Sequence, residues 1–313
     1  MAARETLAFY SPWDDIEAWR KGFAASLPEV EIRQWPDVGD PARVVYAFVE
    51  GTPDGALAAF PNLKIIFSPG AGIDHLMRDP KLPKGIPITR NVQDRMTLGM
   101  TQYVVLHALR HHRHMPAYQA QQKAGVWQEI KQAGAWDTRA GVLGLGAIGL
   151  GCAEALAAIG FETAGWTRTP RRHARIECFH GADGLMRFLA RTDILVCVLP
   201  LTPETEGIVN ARTLAALPEG ASFINLGRGR HVVEEDLLAA LDSGRLSHAT
   251  LDVFRTEPLP KDSRFWSHPR VTVTPHRAGN SNRLLLIAQA IENVRRLHAG
   301  QPLINVADSA RGY

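Results

Sequence analysis

Residues 7–11, 43–49 and 64–68 are short, almost wholly apolar runs, and residues 31–35 alternate apolar with polar. Continuous apolar runs of this length read as strands buried on both faces, and alternating ones as half-buried strands. Residues 13–27 carry apolar side chains at helical spacing, with Pro12 and Asp14 near the start. Residues 55–60 suit a short helix before Pro61, and residues 99–123 form a long helical stretch interrupted at Pro116. A second series follows, with strands at 140–144, 163–167, 194–199, 222–226, 249–253 and 271–274. Helices fit between them at 147–159, 185–190, 211–217 and 234–243, the last closed by Gly244. A final helix spans 283–299. Strands alternating with helices predict parallel sheets covered on both faces. The chain therefore reads as α/β with two doubly wound domains. A smaller domain uses residues 1–98 and is completed by 284–313, and a dinucleotide-binding domain, 99–283, is inserted between them.

Composition narrows the class. The 313 residues are 45% hydrophobic and 21% charged, ordinary for a globular protein. No apolar run is long enough to span a bilayer, and residues 1–12 lack the order of a secretory signal. Cys152, Cys178 and Cys197 have neither zinc nor redox spacing and read as core or near-core thiols in a reducing compartment, so the cytoplasm is expected. The formal net charge is +3, with Lys and Arg scattered and no nucleic-acid motif. That balance fits a surface suited to acidic metabolites rather than to nucleic acid.

The sequence Gly144-Leu145-Gly146-Ala147-Ile148-Gly149 follows a strand and opens a helix. In that setting the GxGxxG spacing has a mechanism. Gly144 permits the tight turn, Gly146 lets the backbone approach a pyrophosphate, and Gly149 allows close helix–strand packing. The helix N-terminus at Ala147 and Ile148 offers N–H groups to phosphate. The next strand ends Thr167-Arg168-Thr169, with Arg171, Arg172 and Arg175 beyond it. An enzyme selective for NAD usually has an acid near Thr167 to bind the ribose hydroxyls. A guanidinium there suits a 2′-phosphate instead, so NADP is the expected cofactor.

Three later strands end in polar residues of useful chemistry: Arg228 after 222–226, Glu257 after 249–253, and His276 after 271–274. Reducing a ketone takes a hydride on carbon and a proton on oxygen. A histidinium is a fitting proton donor, a neighbouring carboxylate orients it, and an arginine binds a substrate carboxylate and polarises the carbonyl. His276, Glu257 and Arg228 form that set. His107, His111, His112 and His114 lack an accompanying HExxH acid, so they read as a polar or interfacial helix face, with no metal expected.

With these pieces in place, the chain resembles the D-2-hydroxyacid dehydrogenase family, in its bacterial glyoxylate/hydroxypyruvate reductase branch. The matching motifs are GVLGLGAIG at 141–149, WTRT at 166–169, VLPLTPET at 198–205, NLGRG, LDVFRTEPLP and VTPH, with SPGAGIDHL at 68–76. The resemblance implies two similar Rossmann/flavodoxin-like domains, hydride transfer in a cleft between them, and a homodimer using a helical arm around 102–122. It implies that the N–H groups of Ala71 and Gly72 help hold the substrate carboxylate, with Arg228 and His276 also in the substrate-binding set. Leu199-Pro200-Leu201 would lie near the nicotinamide ribose, Asp252 would bond the carboxamide, and Trp127 would reach the partner's active site. The expected substrate is a small 2-keto acid. Two other readings stay open: an NAD-linked dehydrogenase of a larger D-hydroxyacid, and a dinucleotide-sensing binding protein of the same fold.

Two positions depart from the family pattern. Arg277-Ala278-Gly279-Asn280 follows His276, where relatives usually continue with an apolar residue and then small ones. Glu50 stands where relatives can carry an aromatic residue, and an acid pointing inward there would disfavour a dicarboxylate.

Overall fold

The computed structural model describes residues 4–279, 281–309 and 312. Asn280 and the first three residues of the segment read for a secretory signal lie outside the described residues. The chain divides into two compact units, Met1–Arg95 with Ser281–Tyr313, and Met96–Asn280.

The first unit contains β1 (Glu5–Tyr10), α1 (Ile16–Ser26), β2 (Val30–Gln34), β3 (Val44–Val49), β4 (Ile65–Phe67), α2 (Asp74–Met77) and β5 (Ile88–Thr89). The second begins within α3 (Asp94–His112) and continues through α4 (Met115–Ala124), β6 (Arg139–Leu143), α5 (Ala147–Ala158), β7 (Glu162–Thr167), β8 (Glu177–His180) and α6 (Gly181–Ala190). It ends with β9 (Ile194–Cys197), α7 (Ala211–Ala215), β10 (Ala221–Asn225), α8 (Glu234–Asp242), β11 (Leu246–Leu251) and β12 (Val271–Val273). Helix α9 (Arg283–His298) returns to the first unit.

The first sheet runs β2-β1-β3-β4-β5, parallel throughout. The period-2 alternation of side chains sorts its core into two faces. Leu7, Phe9, Tyr46 and Phe48 pack with Trp19 and Phe23 of α1 and with Leu286, Ile287 and Val294 of α9. Ala8, Ala47 and Ile66 face the other way, onto Leu57, Ile73 and Leu76. The rings of Trp19 and Phe48 lie 4.2 Å apart, and the Trp19 indole donates to Asp14 at 3.0 Å. Truncating either ring to Ala would cost about 3–5 kcal/mol.

The second sheet runs β12-β11-β10-β9-β6-β7-β8, also parallel throughout. From β6 the chain builds outward to β8, then returns to lay β9 on the other side of β6 and builds outward again. This is the Rossmann-type order extended by one strand. The reversal between β6 and β9 is the switch point beyond which such sheets bind ligands. Two doubly wound parallel sheets are what the strand–helix alternation predicted. β5 and β8 were not expected from the apolar pattern.

The long helical stretch breaks earlier than Pro116. His114 takes a left-handed φ of 52°, and Pro116 sits in the first turn of α4. Proline fits a first turn, where no intrahelical N–H is needed, so it starts α4 rather than interrupting a helix. On and after this arm Leu106 is 60% and Trp127 99% exposed. The three cysteines are free, with Cys152 and Cys197 buried. Burial pushes their thiols up, to about 11 and about 12, so they are poor nucleophiles. Among the described residues no helix is long and apolar enough to cross a membrane.

Candidate active site

The β6–α5 turn is shaped by close approach. Gly144 has φ +98°, and its N–H donates to Trp166 O on β7 at 2.9 Å. A Cβ on Gly149 would lie 1.7 Å from Gly144 O, so the helix sits against the turn as only glycine allows. Around Gly146 the reverse holds: a Cβ there would meet nothing within 4 Å. The open face of the turn is thus at Gly146, directly before the N–H groups of Ala147 and Ile148 that open α5. Free N–H groups at a helix start, with backbone exposed beside them, suit a pyrophosphate.

Beyond β7, Thr167 Oγ1 donates to Thr169 O at 2.7 Å, closing a tight polar turn. Arg168 lies 3.9 Å from Glu204, and Arg171 hydrogen-bonds the Leu145 carbonyl of the glycine turn. Glu204 was missed as a site neighbour, although it lies inside the VLPLTPET motif. A hydrogen bond with Thr202, its backbone and the Arg168 charge hold its carboxyl below the usual range. Beyond β9, Leu199 and Leu201 are buried, and Pro200 O accepts from Thr205 Oγ1 at 2.7 Å.

After β10, Asn225 shapes the turn that carries Arg228. Its Nδ2 donates to Arg228 O at 3.1 Å, and its Oδ1 accepts from Gly227 N at 3.2 Å. The Arg228 N–H donates to His231 Nδ1 at 3.0 Å. That assigns the ring proton of neutral His231 to Nε2, which faces Pro200 O at 3.3 Å. His231 therefore ties the β10 turn to the β9 turn, a role that strand-end reasoning did not reveal. Gly229 has no room for a side chain, because its Cβ would fall 1.8 Å from the Phe254 carbonyl carbon.

Glu257 and His276 meet. Glu257 Oε1 accepts from Phe254 N at 2.8 Å, and Oε2 lies 2.7 Å from His276 Nδ1. Burial pushes the Glu257 carboxyl up, but the hydrogen bonds from His276 and Phe254 and the charges of His276 and Arg228 outweigh it, leaving it below the usual range. An ionised carboxylate only accepts, so Nδ1 carries the proton in this contact. The ring is half exposed. His276 takes a left-handed φ of 54°, unusual for a non-glycine residue, and its N–H donates to Asp252 O at 2.8 Å. The Asp252 side chain is buried and accepts from Arg277 N at 2.7 Å and Ala278 N at 2.8 Å.

In the first unit, the loop of Ala71 and Gly72 follows β4. It is held by Asn91, whose N–H donates to Gly70 O at 3.0 Å and whose Nδ2 donates to Pro69 O at 2.9 Å. Glu50 follows β3 and accepts from Ser11 Oγ at 2.9 Å. His107 and His111 are buried, and among the described residues no group of histidine, cysteine and acidic side chains is placed to hold a metal.

A glycine turn at the switch point, with an acid–histidine pair on the later strand ends, is a dehydrogenase arrangement. Residues 105–278 match the family model "D-isomer specific 2-hydroxyacid dehydrogenase, NAD binding domain". The chain belongs to the D-isomer specific 2-hydroxyacid dehydrogenase family. Among curated members, glyoxylate/hydroxypyruvate reductase A of Yersinia enterocolitica is 38% identical over 98% of this chain and 99% of its own length. A family enzyme from Xanthobacter autotrophicus Py2, solved with NADPH and MES, is 43% identical with a TM-score of 0.92, covering 99% of this chain and 100% of its own. The NADPH-dependent glyoxylate/hydroxypyruvate reductase of Sinorhizobium meliloti, solved with NADP and sulfate, is 37% identical with a TM-score of 0.90, at the same coverage.

Proposed function

We propose that this chain is an NADPH-dependent reductase that converts small 2-keto acids to 2-hydroxy acids, glyoxylate to glycolate and hydroxypyruvate to D-glycerate. The observation that carries the reading is the 2.7 Å pair of His276 and Glu257, with Arg228 near enough to lower the Glu257 carboxyl. The names of the reductases it matches at nearly full length support the same substrates and cofactor.

The glycine turn of Gly144, Gly146 and Gly149 and the N–H groups of Ala147 and Ile148 are assigned to the pyrophosphate. Thr167, Arg168 and Thr169 are assigned to the 2′-phosphate, which would replace Glu204 beside Arg168. Leu199, Pro200 and Leu201 back the nicotinamide ribose, and Asp252 is assigned to the carboxamide. Bound NADPH supplies a hydride to C2 of the keto acid. Arg228 binds the substrate carboxylate and polarises the carbonyl, and the backbone N–H groups of Ala71 and Gly72 are assigned to substrate binding. His276 protonates the developing alkoxide from Nε2 while Glu257 holds Nδ1 and stabilises the charged ring. No acid stands at Thr167 to favour NAD.

The exposed Leu106 and Trp127 support a homodimer through the α3–α4 arm, a reading that sedimentation as a monomer would refute. Three free cysteines support a cytoplasmic setting. The test is the loss of absorbance at 340 nm with NADPH or NADH against glyoxylate, hydroxypyruvate, pyruvate and a phenyl-substituted 2-keto acid. Fast oxidation of NADPH with the two small acids is expected. A preference for NADH would overturn the cofactor assignment, and no oxidation with any substrate would overturn the function.

A further inference from the structure

Tyr103 of helix α3 opens a part-buried polar row of which the mechanism above uses only the last member, Asp252. Tyr103 OH lies 2.7 Å from Thr274 Oγ1, and Thr274 Oγ1 donates to Asp252 Oδ1 at 2.5 Å. Thr274 has a single hydroxyl proton and spends it on Asp252, so the Tyr103 hydroxyl must be the donor to Thr274. Burial pushes the Tyr103 phenol up, which keeps that proton in place at neutral pH. The row therefore has one direction: Tyr103 to Thr274 to Asp252. Asp252 in turn receives the N–H groups of Arg277 and Ala278, and its carbonyl receives the N–H of His276. Three successive N–H groups are thus held by one residue, across the turn in which His276 adopts its left-handed φ. A left-handed non-glycine residue is strained and persists only where its surroundings over-determine it. The same helix also grips β11 two residues before Asp252, where Thr250 Oγ1 lies 2.9 Å from His111 Nε2 and 3.4 Å from His107 Nδ1.

We propose that Tyr103 is a positioning residue for the reaction, holding the His276 turn in its productive conformation through Thr274 and Asp252. This rests on the reading of His276 as the proton donor. Tyr103 touches neither substrate nor cofactor in this account. It acts by fixing where the imidazole stands; its loss leaves the Thr274 hydrogen bond to Asp252, the residue assigned to the carboxamide, in place, so the effect falls more on turnover than on cofactor binding.

The experiment compares Tyr103→Phe, Thr274→Val, Thr274→Ser, the Tyr103→Phe/Thr274→Val pair and His276→Asn in the full chain. It measures kcat and KM with hydroxypyruvate, the NADPH Kd by fluorescence, and the thermal midpoint. The proposal expects kcat to fall roughly 10-fold or more in Tyr103→Phe, with the NADPH Kd within about twofold of the parent. The double variant should fall no further than Thr274→Val alone, because both break one row. Thr274→Ser, which keeps the hydroxyl, should stay within about threefold of the parent. A Tyr103→Phe enzyme with unchanged kcat and only a lower thermal midpoint would overturn the proposal, as would Thr274→Ser behaving like Thr274→Val. His276→Asn separates the two readings. If it is inactive while Tyr103→Phe is fully active, only the positioning role fails. If it turns over normally, the proton-donor assignment fails and the positioning role with it.

Discussion

Gly146 and Gly149 stand three residues apart in one turn, and substituting each with alanine should fail in a different way. At Gly149 the obstacle is the protein. The added Cβ would lie 1.7 Å from Gly144 O and 2.9 Å from Val198 Cγ2. Because contacts under 3.0 Å are essentially never tolerated, α5 must retreat from β6 by roughly 1.3 Å. Overpacking of this kind costs about 1–3 kcal/mol. Alanine's better helix propensity returns up to about 1 kcal/mol. For a unit of this size a loss of about 1–3 kcal/mol lowers the thermal midpoint by roughly 2–12 °C before that gain is subtracted. The retreat also carries the Ala147 and Ile148 N–H groups away from the phosphates, so NADPH affinity should fall with stability. At Gly146 the protein offers no obstacle, and the Cβ enters open space. Gly146→Ala should leave the unliganded midpoint unchanged or raised by about 0.4–1 kcal/mol of stability through the unfolded chain. Its methyl group would stand where the pyrophosphate approaches, so the NADPH Kd should rise about 10-fold or more, or about 1.4 kcal/mol. Thermal unfolding and fluorescence titration with NADPH read the two effects separately. Parent-like NADPH affinity in Gly146→Ala would refute the assignment of that face to phosphate. Parent-like stability in Gly149→Ala would refute the packing argument.

Other perturbations should act locally. Glu257→Gln removes the charge beside His276 and can turn an amide N–H toward Nδ1, so kcat should fall about 100-fold with NADPH Kd unchanged; full activity would dismiss the pairing as catalytic support. Arg168→Ala should weaken NADPH binding roughly 10- to 100-fold and leave NADH binding unchanged; equal losses for both would contradict its role at the 2′-phosphate. Burial, then neighbouring charges, lowers His107 to about 4, His111 to about 3 and His248 to about 4. An unfolded histidine titrates near about 6.5, so the unfolded chain takes up protons that the fold refuses. The stability they contribute is complete above about pH 6.5 and is lost as pH falls through about 4, at up to about 1.4 kcal/mol per pH unit for each histidine. The thermal midpoint should drop between pH 7.5 and 5.0, and less so in His111→Gln; a flat profile would show that these rings are not held neutral.

What the sequence made legible follows from how locally each feature is encoded. β6, β7 and β9 are central strands with apolar cores, and the glycine turn carries its own signature, so their positions followed from the pattern. β8, with the sequence ECFH, is a polar edge strand, and β5 is only two residues long. Neither produces an apolar run, and neighbouring strands rather than propensity create them. The start of α3 at Asp94 was placed too late because its first turn is polar. Glu257 and His276 could be singled out by their strand ends, but their 2.7 Å contact could not. His231 and Glu204 escaped because their meaning depends on turns brought together by the sheet. The Tyr103–Thr274 contact joins residues 171 positions apart, and no local pattern marks it.

The most direct test of the account is to follow the transferred hydride. Hydroxypyruvate would be reduced with NADPH carrying deuterium at the transferring C4 position, and the product examined by mass spectrometry and chiral chromatography. The account predicts D-glycerate with one deuterium at C2. The L isomer, product without deuterium at C2, or no reduction at all would contradict it.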